Sequence, residues 1–342
     1  MLSAMMEFPA SDKPLPPVER IRPGLWSIPV PLPIVLGYVF VYAFETDRGP
    51  YIVDAGWNTD AAFDALSSGL ETAGFSINDV QGVMVTHIHA DHYGLAGRLR
   101  DTSGAWIALH PADAALIHDR YEEPDDLLHL MSGYLRRLGA PQEDIDALTN
   151  AAMPVRGFVE LATPDVLLED GDRPDIPGWD LTTVWTPGHS PGHLCFWEPA
   201  NQLMCTGDCV LPRITPNVGL NPQSEGNPLG DYLDSLDRLE TFGGEALPAH
   251  EWRFEDLRAR IAELREHHDH RLAEVVTAIR DGYTTAWEIT PHMEWSRPFE
   301  SSEVFTKRAA VSEAMAHLRL LEVRGVVKEI DGEPAQWALV GG

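Results

Sequence analysis

Apolar residues recur along this chain with two periods, and the points where the period switches outline its elements. Leu25–Leu32 and Tyr38–Glu45, runs of aliphatic and aromatic residues around the turn segment PLPIVLG, read as strands, with Tyr51–Asp54 as a third. Over Thr59–Ala73 the spacing becomes helical through Ala62, Phe63, Leu66 and Leu70, and Gly74 stops the helix. Val83–Thr86 reads as a buried strand, a helix runs from near Leu95 through Leu99, and Ala105–His110 is again a strand.

From Pro111 to Met153 the pattern changes. Leu116, Ile117, Leu127, Leu128, Met131, Leu135 and Leu138 keep helical spacing, interrupted at Pro124, Gly139 and Pro141, which predicts two or three helices inserted between core strands. Strands resume at Asp165–Leu168, Leu181–Trp185, Leu194–Trp197 and Gln202–Thr206. A helix over Asp231–Leu239 and a short strand Ala246–His250 follow, then a long helix from Phe254 to Arg280. Beyond Gly282 come a short helix opening at Thr285–Ile289 and an amphipathic helix Lys307–Arg324, with Val311, Met315, Leu318 and Leu321 on one face. A hairpin of Val326–Ile330 and Gln336–Val340 closes around Asp331-Gly332. The expected division is a Pro-rich arm (1–20), a main domain (21–255) carrying the helical insertion (111–153), a connecting helix (256–282) and a winged-helix-like unit (283–342).

The chemistry sits at strand ends. Val83–Gly94, VMVTHIHADHYG, delivers His87, His89, Asp91 and His92 straight after an apolar strand. Imidazole nitrogens and carboxylate oxygens hold Zn²⁺ and similar borderline cations, and H-x-H-x-D-H in this setting is a strong metal signature. Further strand ends carry His189 in TPGHSPGH, Asp208 in TGD and His250 in PAH. Asp54 is read as either a second carboxylate supporting the metal loop or a turn-forming residue. His110, His118 and His129 fall outside ligand spacing and read as surface or structural histidines. His267–His270, HHDH, lies on a helix where successive side chains diverge and is expected to be a solvated face.

Composition narrows the partners. The formal net charge is −28, of which residues 1–250 carry −23 and residues 251–342 carry −5. Neither part offers the basic footprint that phosphate backbones or anionic membranes need. Cys195, Cys205 and Cys209 fit a reducing compartment and read as small buried hydrophobes rather than extra ligands. The first twenty residues lack a basic region followed by an apolar run, and no stretch approaches a membrane span. The expectation is a cytoplasmic protein.

With HIHADH, PGHSPGH, TGD and PAH in this order, residues 20–255 resemble the metallo-β-lactamase fold superfamily, in particular its dinuclear hydrolase branch of glyoxalase II, lactonases and related thioesterases. The tail, and the stretch GDCVLPRITPNVGLNP, are similar to the β-lactamase-like-2 subgroup. The resemblance implies an α/β fold, an αββα four-layer sandwich with metals at one edge. His87, His89 and His189 would hold one divalent ion, Asp91, His92 and His250 a second, and Asp208 would bridge them. Zinc is the usual metal, with iron or manganese as alternatives. His193 is not a ligand in this pattern and is expected to hydrogen-bond locally.

Such a ligand set can acidify a bridging water and polarise a carbonyl, with Asp91 orienting the water and receiving its proton. The expected reaction is hydrolysis of a small-molecule thioester or lactone. The alternatives are a ribonuclease or phosphodiesterase using the winged helix, and a non-catalytic scaffold. The insertion would serve as a lid or substrate wall, with Met131 and Tyr134 against an acyl chain. Arg213, five residues after Asp208, would meet a substrate carboxylate or phosphate, or else form a surface ion pair. The tail helix needs a partner surface, on the main domain or on a second copy in a homodimer.

Overall fold

The computed structural model describes residues 14–224 and 226–341. Residues 1–13 of the expected arm lie outside them. Glu19 and Arg20, assigned to that arm from sequence, belong to strand β1 (Glu19–Arg22), which pairs with β2 (Leu25–Pro31). Then β2 pairs with β3 (Tyr38–Phe44), and β3 with β4 (Tyr51–Val53), all antiparallel. Two prolines in β2 are tolerated because β1 reaches only to Ser27, so Pro29 and Pro31 lie beyond that pairing. Helix α1 (Asp60–Thr72) is capped by Thr59, whose side chain accepts from the Ala62 amide, and it buries Leu66 and Leu70. Each such buried leucine contributes roughly 1.5–3 kcal/mol.

Strand β5 (Gly82–Met84) follows, then a helical turn α2 (Ala90–Tyr93), helix α3 (Ala96–Ser103) and β6 (Trp106–Leu109). The insertion comprises α4 (Pro111–Ala114), a helical turn at His118–Glu122, α5 (Asp125–Arg137) and α6 (Ile145–Asn150). Strand β7 (Val166–Leu167) closes a seven-stranded sheet in sequential order, parallel from β4 onward. The second sheet has order β11-β10-β9-β8, from β8 (Thr182–Trp185), β9 (Leu194–Glu198), β10 (Leu203–Gly207) and, after helix α7 (Pro228–Glu240), β11 (Glu245–Pro248). The tail is α8 (Leu257–Arg280), α9 (Ala286–Ile289), α10 (Val304–Val323) and the antiparallel pair β12 (Val327–Ile330) and β13 (Gln336–Leu339).

Strand alternation explains the layers. In β3, Phe40, Tyr42 and Phe44 point into the space between the sheets, against Leu194, Phe196, Leu203 and Cys205. The odd residues Val39, Val41 and Ala43 face α1 and α3. On the far side Cys195 and Met204 face α7, α8 and α10. Helix–sheet–sheet–helix burial on both faces is why these strands read as continuous apolar runs, and it is the expected αββα sandwich.

Helix α10 departs from the expected amphipathic pattern. Besides Val311, Met315, Leu318 and Leu321, it buries Ser312, Glu313 and His317. Its partner surface is this chain's own second-sheet side, since Val311, Met315, Leu318 and Leu321 share one cluster with Val184, Met204, Leu236 and Ile261.

Candidate metal centre

The site forms where chain segments leave the strands. After β5 the chain runs through Val85 and Thr86 to His87 and His89, and α2 then carries Asp91 and His92. Asp54 leaves β4 beside it in the left-handed region, with φ of 63°. Its Oδ1 accepts from the Thr86 amide at 2.8 Å, and its Oδ2 lies 2.8 Å from His92 Nδ1. Both readings of Asp54 therefore hold: it shapes the turn and orients a ligand.

Four histidines are oriented through Nδ1. His92 faces Asp54, His250 faces the Tyr38 carbonyl at 3.0 Å, His189 faces the Asn217 carbonyl at 2.8 Å, and His87 faces the Thr86 hydroxyl at 3.0 Å. With a carboxylate or carbonyl at Nδ1, the proton sits there and Nε2 offers a lone pair. His89 turns the other way and presents Nδ1.

The structure gathers these atoms in two groups, His87/His89/His189 and Asp91/His92/Asp208/His250. In the first, three ring nitrogens lie 2.9–3.1 Å apart. Three nitrogens around one tetrahedral zinc stand about 3.3 Å apart, so this triad is close to ligand spacing. In the second, His250 Nε2 is 3.2 Å from Asp91 Oδ2 and 3.3 Å from Asp208 Oδ1. Asp208 Oδ2 stands 3.6 Å from His92 Nε2 and 3.6 Å from His189 Nε2, touching both groups. That is the position of a bridging carboxylate. His92 Nε2, His250 Nε2 and Asp208 Oδ1 are buried with no hydrogen-bond partner, a cost that a coordinated cation removes. The seven residues fit two divalent ions.

Charge follows the same division. Burial, then the neighbouring imidazoles, hold His87 well below its ordinary value, and burial lowers His189 against the pull of Asp208. Both stay neutral, as ligands must. In the second group burial opposes ionisation, yet His92 and His250 hold Asp91 low, and the same two histidines hold Asp208 well below the carboxylate range. Burial likewise opposes a charged His250, but Asp208 and Asp91 push it up to about 10. Two ionised carboxylates there demand positive charge.

Residues that sequence reasoning missed brace the ligands. Asp113, fully buried in α4, accepts from the Ile88 amide at 2.9 Å, the Ser190 hydroxyl at 2.8 Å and the Gly192 amide at 2.6 Å. It thus ties the His87–His89 loop to the His189 loop. In sequence it is one acidic residue in a helix's first turn, with nothing to mark its partners. The Tyr121 hydroxyl donates to the Ile88 carbonyl at 2.8 Å. Asn217, which supports His189, is itself held by α10: its Nδ2 donates to Glu313 Oε2 at 3.1 Å. Burial pushes Glu313 up to about 7. His193 hydrogen-bonds locally, to the Thr186 hydroxyl at 2.8 Å and from the Asp208 amide at 3.1 Å. Gly207 leaves room for it: a Cβ there would come within 2.7 Å of His193 Nε2.

The residues expected to touch substrate are placed differently. Met131 is buried with Leu135, Ile145 and Leu148 between α5 and α6, and Tyr134 donates to the Leu220 carbonyl at 2.7 Å. Contact with an acyl chain would require that packing to open. Arg213 forms the ion pair: Nη2 and Nε donate to the Glu251 carboxylate at 2.6 and 2.9 Å, and the carboxylate also accepts the Arg213 and Ile214 amides. The solvated-face expectation fails for His268, which is 1% exposed and pairs with His317 at 3.2 Å. Tail helix α10 arrives on that face, which the α8 sequence alone does not show. Cys195, Cys205 and Cys209 are buried and belong to neither ligand group, as small core residues.

An αββα sandwich with seven candidate metal ligands gathered beside its strands defines a class, and the sequence comparison agrees: the metallo-beta-lactamase superfamily pattern matches residues 34–250, so the chain belongs to that superfamily, among its metallo-hydrolases. A metallo-beta-lactamase family protein from Thermus thermophilus superposes with a TM-score of 0.81 at 32% identity, over 94% of this chain and 100% of that one. The probable metallo-hydrolase YqjP of Bacillus subtilis is 25% identical over 88% of this chain and 93% of its own length. An atrochrysone carboxyl ACP thioesterase of Aspergillus chevalieri is 25% identical over 96% of this chain and 91% of its own. No helix among the described residues is long and apolar enough to cross a membrane.

Proposed function

We propose that the protein is a dinuclear, zinc-type hydrolase of a small-molecule thioester, with lactones as the next class. The observation that carries this is Asp208, whose carboxylate stands 3.6 Å from a ligand nitrogen of each group. Two divalent ions held there would supply an acidified water and an electrophile for the acyl carbonyl. His87, His89 and His189 would hold one ion and Asp91, His92 and His250 the other, with Asp208 shared between the two groups. Asp91, 3.2 Å from His250 Nε2, would orient the attacking water and receive its proton. Asp54 and Asn217 keep the ligand nitrogens aimed. The burial of Cys195, Cys205 and Cys209 leaves none of them at the site as a nucleophile.

The thioesterase among the relatives supports the acyl reading, as does the −28 net charge, which opposes polyanionic nucleic acid. The test is kcat/KM of the metal-loaded protein across acyl thioesters, lactones, nitrocefin and bis-p-nitrophenyl phosphate. Thioesters should lead. A tenfold lead for the phosphodiester would replace this reading with a phosphodiesterase.

A further inference from the structure

Four of the candidate ligand histidines are aimed by a partner at Nδ1, and three of those partners are held by strands or by the ligand loop itself. His92 faces Asp54, directly after β4, His250 faces the carbonyl of Tyr38 in β3, and His87 faces the hydroxyl of its neighbour Thr86. His189 differs. Its partner, the Asn217 carbonyl, belongs to a segment between β10 and α7 with neither helix nor strand, and Asn217 is exposed. A carbonyl on such a segment is fixed only by what grips the segment.

The grip comes from the tail and the insertion. Glu313 Oε2 on α10 accepts from Asn217 Nδ2 at 3.1 Å, and the carbonyl of Ser312, one residue earlier, accepts from the Leu220 amide at 2.9 Å. The Tyr134 hydroxyl on α5 donates to the Leu220 carbonyl at 2.7 Å. Val218 is buried in one cluster with Val311 and Met315. Gly219 lies so near α10 that a Cβ there would come within 3.0 Å of Ser312 Cβ. Helix α10 thus holds both ends of Asn217–Leu220, and at the Asn217 end the hold among the described residues is Glu313.

Glu313 is an uncommon residue for such a position. It is 8% exposed, and among the described residues it enters no ion pair and makes one side-chain hydrogen bond, the one to Asn217. Arg271, the nearby cation, is paired with Glu274 at 3.0 Å. His317 turns to the Glu313 backbone carbonyl, at 2.8 Å, and to His268, at 3.2 Å. Burying a carboxyl is costly, and an aliphatic side chain would pack among Val311, Ala314 and Met315 without that cost. Burial pushes Glu313 up to about 7, and protonated or not it keeps an oxygen that accepts from the Asn217 amide.

We propose that Glu313 is a positioning residue for the metal centre: by holding Asn217 it fixes the carbonyl that orients His189, so the tail helix sets the affinity of the His87/His89/His189 group for its ion. This rests on the metal-dependent reading above. The effect is selective, because His92 and His250 take their aim from Asp54 and Tyr38 and not from α10.

The test is a titration of zinc into the metal-free, full-length protein against a chromophoric chelator, which resolves the two ions. Glu313→Leu removes the acceptor and keeps most of the volume. It should weaken one ion about three- to tenfold and leave the other near wild type. Direct partners of ligand histidines contribute about ten- to a hundredfold, and Glu313 stands one bond further out. Glu313→Gln, which keeps an oxygen for Asn217, should retain wild-type affinity. Asn217→Ala cuts the same link from its exposed end and serves also if Glu313→Leu does not fold. The double variant should be no weaker than either single one, since both break one chain of contacts. His317→Leu, one turn further along α10, controls for helix packing and should keep both affinities. Nitrogen-15 NMR of the metal-free protein gives a second readout: the His189 ring proton should sit on Nδ1 in the wild type and be shared between both nitrogens in Glu313→Leu or Asn217→Ala. If the wild type binds no divalent ion, the metal reading falls, and the tautomer decides on Glu313. Unchanged affinity in Glu313→Leu and Asn217→Ala, equal weakening of both ions, additive losses, or the same loss in Glu313→Gln or His317→Leu, overturns the proposal.

Discussion

Two segments of this chain crowd histidine and aspartate into a few positions, HIHADH at 87–92 and HHDH at 267–270, and they have different fates. The first leaves a strand of one sheet, so its backbone turns and its side chains converge, and segments leaving the other sheet bring His189, Asp208 and His250 to meet it. The second stays on α8, so its side chains fan out. His268 goes inward to His317 and against the Tyr232 ring, His267 is half-buried, and Asp269 and His270 face solvent. Ligand-bearing residue types are common to both. What separates them is whether the backbone lets lone pairs meet and whether a second element holds each ring's other nitrogen.

That contrast can be broken most severely at the candidate ligands gathered around the first segment. His189→Ala should lower kcat by about a thousandfold or more, the loss of several kcal/mol of metal-derived stabilisation, and should cost metal as well. Asp54→Ala leaves every ligand in place but frees the His92 ring. Metal affinity, titrated against a chromophoric chelator, should fall ten- to a hundredfold. If it does not change, ring orientation is not what distinguishes the two segments.

The second segment should answer to pH rather than to metal. Burial pushes His317 down to about 4, from the 6.5 of the unfolded chain. Between those values the unfolded state binds the extra proton, so this histidine's contribution to stability is intact above pH 6.5 and is lost as the pH falls toward 4. His317→Leu should flatten that part of the stability–pH curve by an amount on the order of 3 kcal/mol, with metal content unchanged. Chemical denaturation at several pH values measures it; an unaltered slope would contradict the buried-neutral assignment. The smallest effect belongs to the outer side chains. His267→Ala with His270→Ala should alter neither turnover nor metal content, and should shift stability by less than about 0.5 kcal/mol.

The seven candidate ligands were readable because each lies in a segment that leaves a strand whose apolar run marks it, and because the residue types that bind metals are few. What escaped the sequence depends on distance along the chain. Asp113 reaches Ser190 and Gly192 from 77 and 79 residues away, and Asn217 meets Glu313 across 96. No local pattern encodes such pairs. The same holds for His268, whose burial is decided by α10, and for Arg213, whose partner Glu251 sits in a left-handed turn with φ of 72° directly after His250. Met131 was read among the helically spaced apolar residues of the insertion, and Tyr134 with it as a wall for an acyl chain; the surfaces they meet are α6 and the segment around Leu220.

The claim on which the rest depends is that Asp208 joins two metal ions in one centre. Elemental analysis of wild-type protein and of Asp208→Ala, paired with activity on the same samples, tests it directly. The account predicts close to two divalent ions per wild-type chain, and in the variant the loss of at least one ion together with nearly all turnover. A variant that keeps both ions, or a wild-type protein fully active with no metal bound, would contradict it.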